Sequence, residues 1–171
     1  MISTEHHPQF FTATILEWKP LLADNKYKEI LLNSLRFLVK EQRVIVNSFV
    51  IMSNHIHLIW QAVNGFTPQQ IQHSFLKFTA QQIKFDLQKY NPELLKEFLV
   101  NATDRQYQFW ERNPLGVDLY SKEVYFQKVN YIHYNPVEAG LCEEPYGYHY
   151  SSARFYETLV DDFGFLTHCD V

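Results

Sequence analysis

Two short patterns in the sequence have residue types and spacings that can do chemistry. The first is His55-Ile56-His57, inside the run HIHLIWQAV at 55–63. That run is rich in β-branched and aromatic residues, which predicts a strand. Residues two apart on a strand share a face, so the imidazoles converge while Ile56, Leu58 and Trp60 turn to the opposite layer. Two converging imidazoles are half of a metal site, and they suit equally a pair of partly buried histidines that only hydrogen-bond. The second pattern is NYIHYNP at 130–136. On a helix Tyr131 and Asn135 share a face, with Gln127 one turn earlier on the same side. A phenol able to act as a nucleophile would stand beside an amide oxygen able to bind a metal. The alternative is an amphipathic helix whose tyrosine rings fill a core.

The elements that must position these groups follow from the pattern of apolar residues. FFTATIL at 10–16 predicts a first strand. From Lys26 to Gln42, Tyr27, Ile30, Leu31, Leu35, Leu38 and Val39 recur at the spacing of one helical face, with Ser34 a small exception. Val44 to Met52 and His55 to Val63 are apolar runs separated by Ser53-Asn54, which predicts an antiparallel hairpin. Thr67-Pro68 reads as an N-cap followed by proline at the first helical position, opening a long helix to Tyr90 with Ile71, Phe75, Phe78 and Ile83 near one face. A short helix is expected near Leu94 to Val100, and short strands at Gln106 to Glu111 and Gly116 to Leu119. Ser121 to Tyr134 predicts a last helix with Val124, Val129 and Ile132 as core positions and Asn135-Pro136 as its stop. The order strand, helix, strand, strand, helix, strand, helix is that of a ferredoxin-like α+β fold, an antiparallel sheet with helices packed on it.

With 171 residues, 46% of them hydrophobic and 20% charged, the chain has the balance of a folded globular protein and the length of one domain. A single domain over 1–171 is expected, with a core at about 8–142 and a tail at about 143–171. The formal charge of −4 argues against a protein that coats duplex DNA by charge alone, although a local basic path or a bound cation remains compatible with it. Cys142 and Cys169 have no CxxC spacing, the N-terminus lacks the pattern of a signal peptide, and no apolar run reaches the roughly eighteen residues of a membrane span. A cytoplasmic protein with no membrane partner is therefore expected.

Four ordered segments carry a resemblance to a known family. Val50-Ile51-Met52-Ser53-Asn54-His55-Ile56-His57-Leu58-Ile59-Trp60 resembles a strand that leads through a turn into His-hydrophobic-His. Tyr131-Ile132-His133-Tyr134-Asn135-Pro136-Val137-Glu138-Ala139-Gly140-Leu141 resembles a Tyr-Ile-x-x-Asn-Pro-Val-x-Ala-Gly segment. Phe109-Trp110-Glu111-Arg112 and Tyr150-Ser151-Ser152-Ala153 match in kind and order. The family is that of the REP-associated tyrosine transposases, single-tyrosine HUH enzymes similar to small insertion-sequence transposases. The chain departs from the pattern at Ser53, where proline is common, and in its acidic charge.

The resemblance implies metal-dependent cleavage and strand transfer of single-stranded DNA, at hairpin-forming repeats, through a 5′-phosphotyrosine. Mg²⁺ or Mn²⁺ would be bound by His55, His57 and Asn135, a mixture of nitrogen and oxygen donors that suits a cation shared with phosphate. Tyr131 would be the nucleophile. Tyr120, Tyr125 and Tyr134 are its rivals, and Tyr134 stands only about 60° away on the helix, but register with the Asn-Pro motif selects Tyr131. Lys77 and Lys84, seven apart on the long helix with Gln70 and Gln81 nearby, are candidate DNA contacts, and Arg112 beside Trp110 adds a cation and a stacking ring. A solvated helix face and a core tryptophan explain these residues equally well. A monomer is expected, with a dimer as the alternative.

Other readings give different predictions. A relaxase-like nicking enzyme would sit in a longer chain, and a ferredoxin-like RNA-binding domain would carry exposed aromatics where this strand carries histidines. A catalytically quiet hairpin-binding descendant of the family would need neither the histidine pair nor the tyrosine.

Overall fold

A computed structural model describes residues 1–169. The elements are β1 (Gln9–Thr14), α1 (Asn25–Lys40), β2 (Val44–Ile51), β3 (His55–Ala62), α2 (Pro68–Tyr90), α3 (Pro92–Lys96), β4 (Leu115–Asp118), α4 (Lys122–Glu138) and α5 (Ala153–Thr158). The strands form one antiparallel sheet in the order β2-β3-β1-β4. Inserting β3 between β1 and β2 is the split βαβ arrangement of the ferredoxin-like fold.

The sheet separates two apolar layers. Phe11, Ala13, Ile15, Ile56, Leu58 and Trp60 pack with Leu31, Leu35, Phe75 and Ile83 of α1 and α2. On the other face Phe10, Val50, Met52 and Ile59 pack with Tyr125, Val129 and Ile132 of α4. Alternation along β1 and β3 therefore sends His55 and His57 to the α4 side. Along β2 the inward set changes phase from Val44 and Val46 to Phe49 and Ile51, because the pairing shifts between Val46 and Ser48. Asn47 is the extra residue of this bulge, and Ser48 thereby points at α4.

Local chemistry sets the helix ends. Asp24 caps α1 and Ser121 caps α4. Thr67 and Gln70 form a capping box at α2, so the Gln70 side chain is engaged at the helix start. α4 runs past Asn135-Pro136 to Glu138, correcting the expected stop. Proline costs the helix one N–H bond, but its φ is helical. The true end is Gly140, at φ +73°, where the Leu141 and Gly140 amides donate to the Pro136 and Val137 carbonyls in a Schellman motif.

Three further expectations are corrected. Phe78 and Val124 are exposed, while Thr79 and Tyr125 take the inward positions. Residues 106–111 form no strand and make only the single bridges Leu99–Tyr107 and Ile15–Trp110. The Trp110 indole is drawn into the α2 layer, where its N–H donates to Thr79 Oγ1 at 3.1 Å, so it is a core residue and not an exposed stacking ring.

Residues 143–169 cover the free edge of β2. Ile51 N–H donates to the Tyr150 carbonyl, Ser152 N–H to Phe49, and Thr167 N–H to Val46. Phe163 and Phe165 enter the core against Phe49. No helix among the described residues is long and apolar enough to cross a membrane.

Candidate active site

His57 is buried in the middle of the sheet and His55 lies at the start of β3, with their ring centroids 4.7 Å apart. Each Nδ1 is tethered. Thr12 sits opposite His57 on β1 and brings Oγ1 to within 2.7 Å of its Nδ1, and Asn54 Oδ1 is 2.7 Å from His55 Nδ1. With the protons on Nδ1, donated to these oxygens, each Nε2 presents a lone pair, that of His55 on the side where Asn135 approaches. Phe10 stacks on the His57 ring at 5.4 Å.

Burial, aided by the positive charges of His55 and Lys128, pushes the His57 imidazole down to about 3. Burial also lowers His55, against a hydrogen bond in which the protonated ring donates to the Asn135 amide oxygen, which raises it. Both shifts favour the neutral ring, the form in which imidazole binds a metal.

α4 crosses above this pair. The Tyr131 ring lies 5.2 Å from that of His57 and 5.9 Å from Phe10, and at 46% exposure it borders both the sheet and solvent. Asn135, one turn on, reaches His55. The structure thus brings His55, His57, Tyr131 and Asn135 to one place. Tyr125 is buried beneath the helix. Tyr120 is exposed beyond the cap of α4, edge-on to His7.

Sequence reasoning missed three residues here. Lys128 precedes Tyr131 by one turn, and its Nζ stands 4.7 Å from the Phe10 centroid and 5.6 Å from that of Tyr131. Its spacing of three from the tyrosine could have marked it. Asn54 adjoins His55 but was read only as a turn residue. Nothing local marks Thr12, whose role depends on the register of β1 against β3.

Among the described residues, no three His, Cys, Asp or Glu side chains gather as a metal site. A cation here would rely on the two imidazoles and the Asn135 amide, all neutral donors. Two imidazole nitrogens and one amide oxygen suit a divalent ion that accepts mixed nitrogen and oxygen donors, and such an ion would complete its shell with phosphate and water and keep its full charge for the phosphate.

Lys77, Lys84 and Arg112 are brought together in a different place. They line one open groove of about 870 Å³ between α2 and residues 104–114, with Gln81, Arg105 and Tyr107. Lys84 Nζ stands 5.7 Å from the Tyr107 ring, and Arg112 is 3.9 Å from Asp104. His55, His57 and Tyr131 do not line this groove. It is linked to them through Glu111, whose Oε1 accepts the Glu17 N–H at 2.6 Å, and through Trp18, whose ring lies 6.0 Å from His55.

These features define a class, a ferredoxin-like α+β domain that presents a histidine pair on its sheet to a tyrosine on the helix above. No protein-family model matches the chain, and no curated protein matches it. Among solved structures, a REP-associated tyrosine transposase bound to a REP hairpin is similar with a TM-score of 0.66, at 16% identity over 96% of this chain and 89% of that one. A candidate transposase from Deinococcus radiodurans R1 gives a TM-score of 0.49 at 14% identity, over 73% of this chain and 87% of that one. At these identities the likeness is one of fold, and the chain has the fold of the hairpin-bound transposase.

Proposed function

We propose that the chain is a single-tyrosine transposase that cuts and rejoins single-stranded DNA at hairpin-forming repeats, with Tyr131 as the nucleophile. The observation that carries this reading is the approach of an exposed tyrosine to a neutral, tethered histidine pair across the sheet, 5.2 Å from ring to ring.

His55, His57 and Asn135 would hold Mg²⁺ or Mn²⁺, which when bound would polarise the scissile phosphate and offset the charge that develops on its oxygens. Thr12 and Asn54 keep both Nε2 atoms directed at that position. The phenol of tyrosine has an ordinary pKa near 10, so at neutral pH it must lose its proton as it attacks. Tyr131 Oη forms a bond to phosphorus and gives its proton to water, the P–O3′ bond breaks, and the 3′ oxygen takes a proton from water and leaves as a hydroxyl. Attack by another 3′ hydroxyl on the 5′-phosphotyrosine reverses these bonds and rejoins a strand. The Lys128 ammonium, 5.6 Å from the centre of the Tyr131 ring, attracts the phosphate that this tyrosine attacks. Lys77, Lys84 and Arg112 contact the DNA backbone along their groove. The protein acts as a cytoplasmic monomer, and both of its cysteines are free thiols, as suits a reducing compartment.

The test is a hairpin oligonucleotide with a 5′ flank, incubated with the protein and Mn²⁺. A covalent protein–DNA band is expected from the wild type and from Tyr134→Phe. Tyr131→Phe should bind Mn²⁺ and hairpin but give no band. Hairpin binding without any adduct in the wild type would instead identify a catalytically quiet binder, and an adduct mapped to Tyr134 would refute the choice of nucleophile.

A further inference from the structure

We propose that Trp18 is a stacking platform for an unpaired nucleobase of the DNA strand that passes over His55; this rests on the DNA-processing reading above. Of the three tryptophans, Trp60 and Trp110 are buried at 2% and 6% exposure, whereas Trp18 is 62% exposed. An exposed indole is not in itself a site. What distinguishes Trp18 is how its backbone is held. It closes the 3-10 turn Leu16–Trp18 that follows β1, and both Glu17 at φ 55° and Trp18 at φ 58° adopt the left-handed conformation without being glycine. Such a pair persists only where the surroundings impose it, and such positions gather at ligand sites.

The surroundings here are specific. Glu17 N–H donates to Glu111 Oε1 at 2.6 Å, and Trp18 N–H donates to the Ile15 carbonyl at 2.9 Å. Asn54 Nδ2 donates to the Trp18 carbonyl at 3.3 Å, while Oδ1 of the same amide accepts from His55 Nδ1. One amide thus fixes both the metal-ligand candidate and the exposed indole, whose ring lies 6.0 Å from that of His55.

Charge and position favour a base over a phosphate as the occupant. The Glu17 carboxylate is paired with Lys19 Nζ at 2.9 Å and Glu111 accepts a backbone amide, so the neighbouring Lys19 is already engaged and the turn offers a phosphate little. A flat, uncharged π surface matches an indole face, and stacking of this kind tolerates any base. Trp18 also lies between the two sites already described. The Glu17–Glu111 contact joins the turn that carries Trp18 to the rim of the groove of Lys77, Lys84 and Arg112, so a strand running from His55 into that groove by this shared border passes Trp18.

The burial of the other two indoles makes Trp18 its own reporter. The full-length protein is titrated, without metal, with a hairpin carrying a single-stranded 5′ flank and with the same hairpin blunt-ended. Binding is read by anisotropy of the labelled DNA and by tryptophan emission, and adduct formation is measured separately with Mn²⁺. The flanked hairpin is expected to quench the emission, and Trp18→Ala to bind it roughly 5- to 150-fold more weakly, the range of one base–aromatic stack. Trp18→Phe should recover part of that loss. Binding of the blunt hairpin and the melting temperature should be unchanged. If the flanked hairpin binds and Tyr131 forms its adduct, yet emission and the affinity of Trp18→Ala match the wild type, the stacking role is overturned and the enzymatic reading stands. Quenching and weakened Trp18→Ala binding without an adduct would keep the platform and remove the cleavage reading. Failure to bind either DNA overturns both.

Discussion

Replacing Thr12 by valine tests whether the metal-ligand geometry is imposed by the neighbouring strand. Valine has nearly the same shape and suits a strand, so β1 should keep its pairing. What is lost is the oxygen 2.7 Å from His57 Nδ1. Because His57 is buried, its Nδ1–H would be left without an acceptor, at a cost of about 1–3 kcal/mol. The ring can relieve that cost by moving the proton to Nε2 or by rotating, and either change withdraws the lone pair offered to the cation. A penalty of about 2 kcal/mol corresponds to a roughly 30-fold loss of Mn²⁺ affinity, within the 10- to 100-fold typical of lost partners behind a ligand. Calorimetric titration with Mn²⁺ gives the affinity, and adduct yield against Mn²⁺ concentration gives its consequence. The yield should recover at high Mn²⁺, and Thr12→Ser should restore both quantities. Unchanged affinity in Thr12→Val would refute the tether. An adduct defect that no amount of metal corrects would show that Thr12 acts elsewhere.

Two further predictions concern stability. Ser152 Oγ accepts the Phe49 N–H at 3.0 Å and lies 2.8 Å from His133 Nε2, both buried, so Ser152→Ala should cost about 2 kcal/mol in urea unfolding, and a loss below about 0.5 would refute the account. Burial raises the Asp86 carboxyl, but hydrogen bonds from Lys26 and Tyr27 and the charges of Lys26 and Lys89 outweigh it, leaving the group below its ordinary value. A depressed carboxyl contributes stability above the ordinary carboxylate range and loses it as pH falls. Asp86→Asn should therefore cost up to about 1 kcal/mol near pH 7, as a largely exposed pair does, and nothing near pH 2; an equal cost at both would refute the linkage.

The parts of this molecule that were legible in its sequence are those governed by near neighbours. Strand alternation places His55 and His57 on one face, helical spacing places Tyr131 over Asn135, and Thr67-Pro68 announces α2. What escaped depends on contacts between distant residues. For Trp110 the sequence left a stacking ring and a core residue open, and the choice is decided by Thr79, a residue read as neither core nor partner. Pro136 looked like a stop because the chemistry that ends α4 lies four residues later, at Gly140. Trp18 carried no signal, since two left-handed residues without a glycine have no local signature. Lys77, Lys84 and Arg112 were found by charge and spacing alone, and the groove that joins them comes from the packing of residues 104–114 on α2.

The bulge in β2 has a consequence for how the sheet tolerates change in length. Val46 pairs with Trp60 and Ser48 with Ile59, which are consecutive on β3, so Asn47 is the one residue of β2 that the ladder does not count. Removing it would leave a strand of unbroken alternation with each side chain still on its present face. Loss of a residue elsewhere in β2 would turn part of the strand inside out. Yet Asn47 is not idle: its carbonyl accepts the Tyr156 hydroxyl and its Nδ2 donates to the Thr167 carbonyl. The supernumerary residue is thus a clasp for the C-terminal segment, and a one-residue deletion could unfasten that segment from a sheet that remains in register.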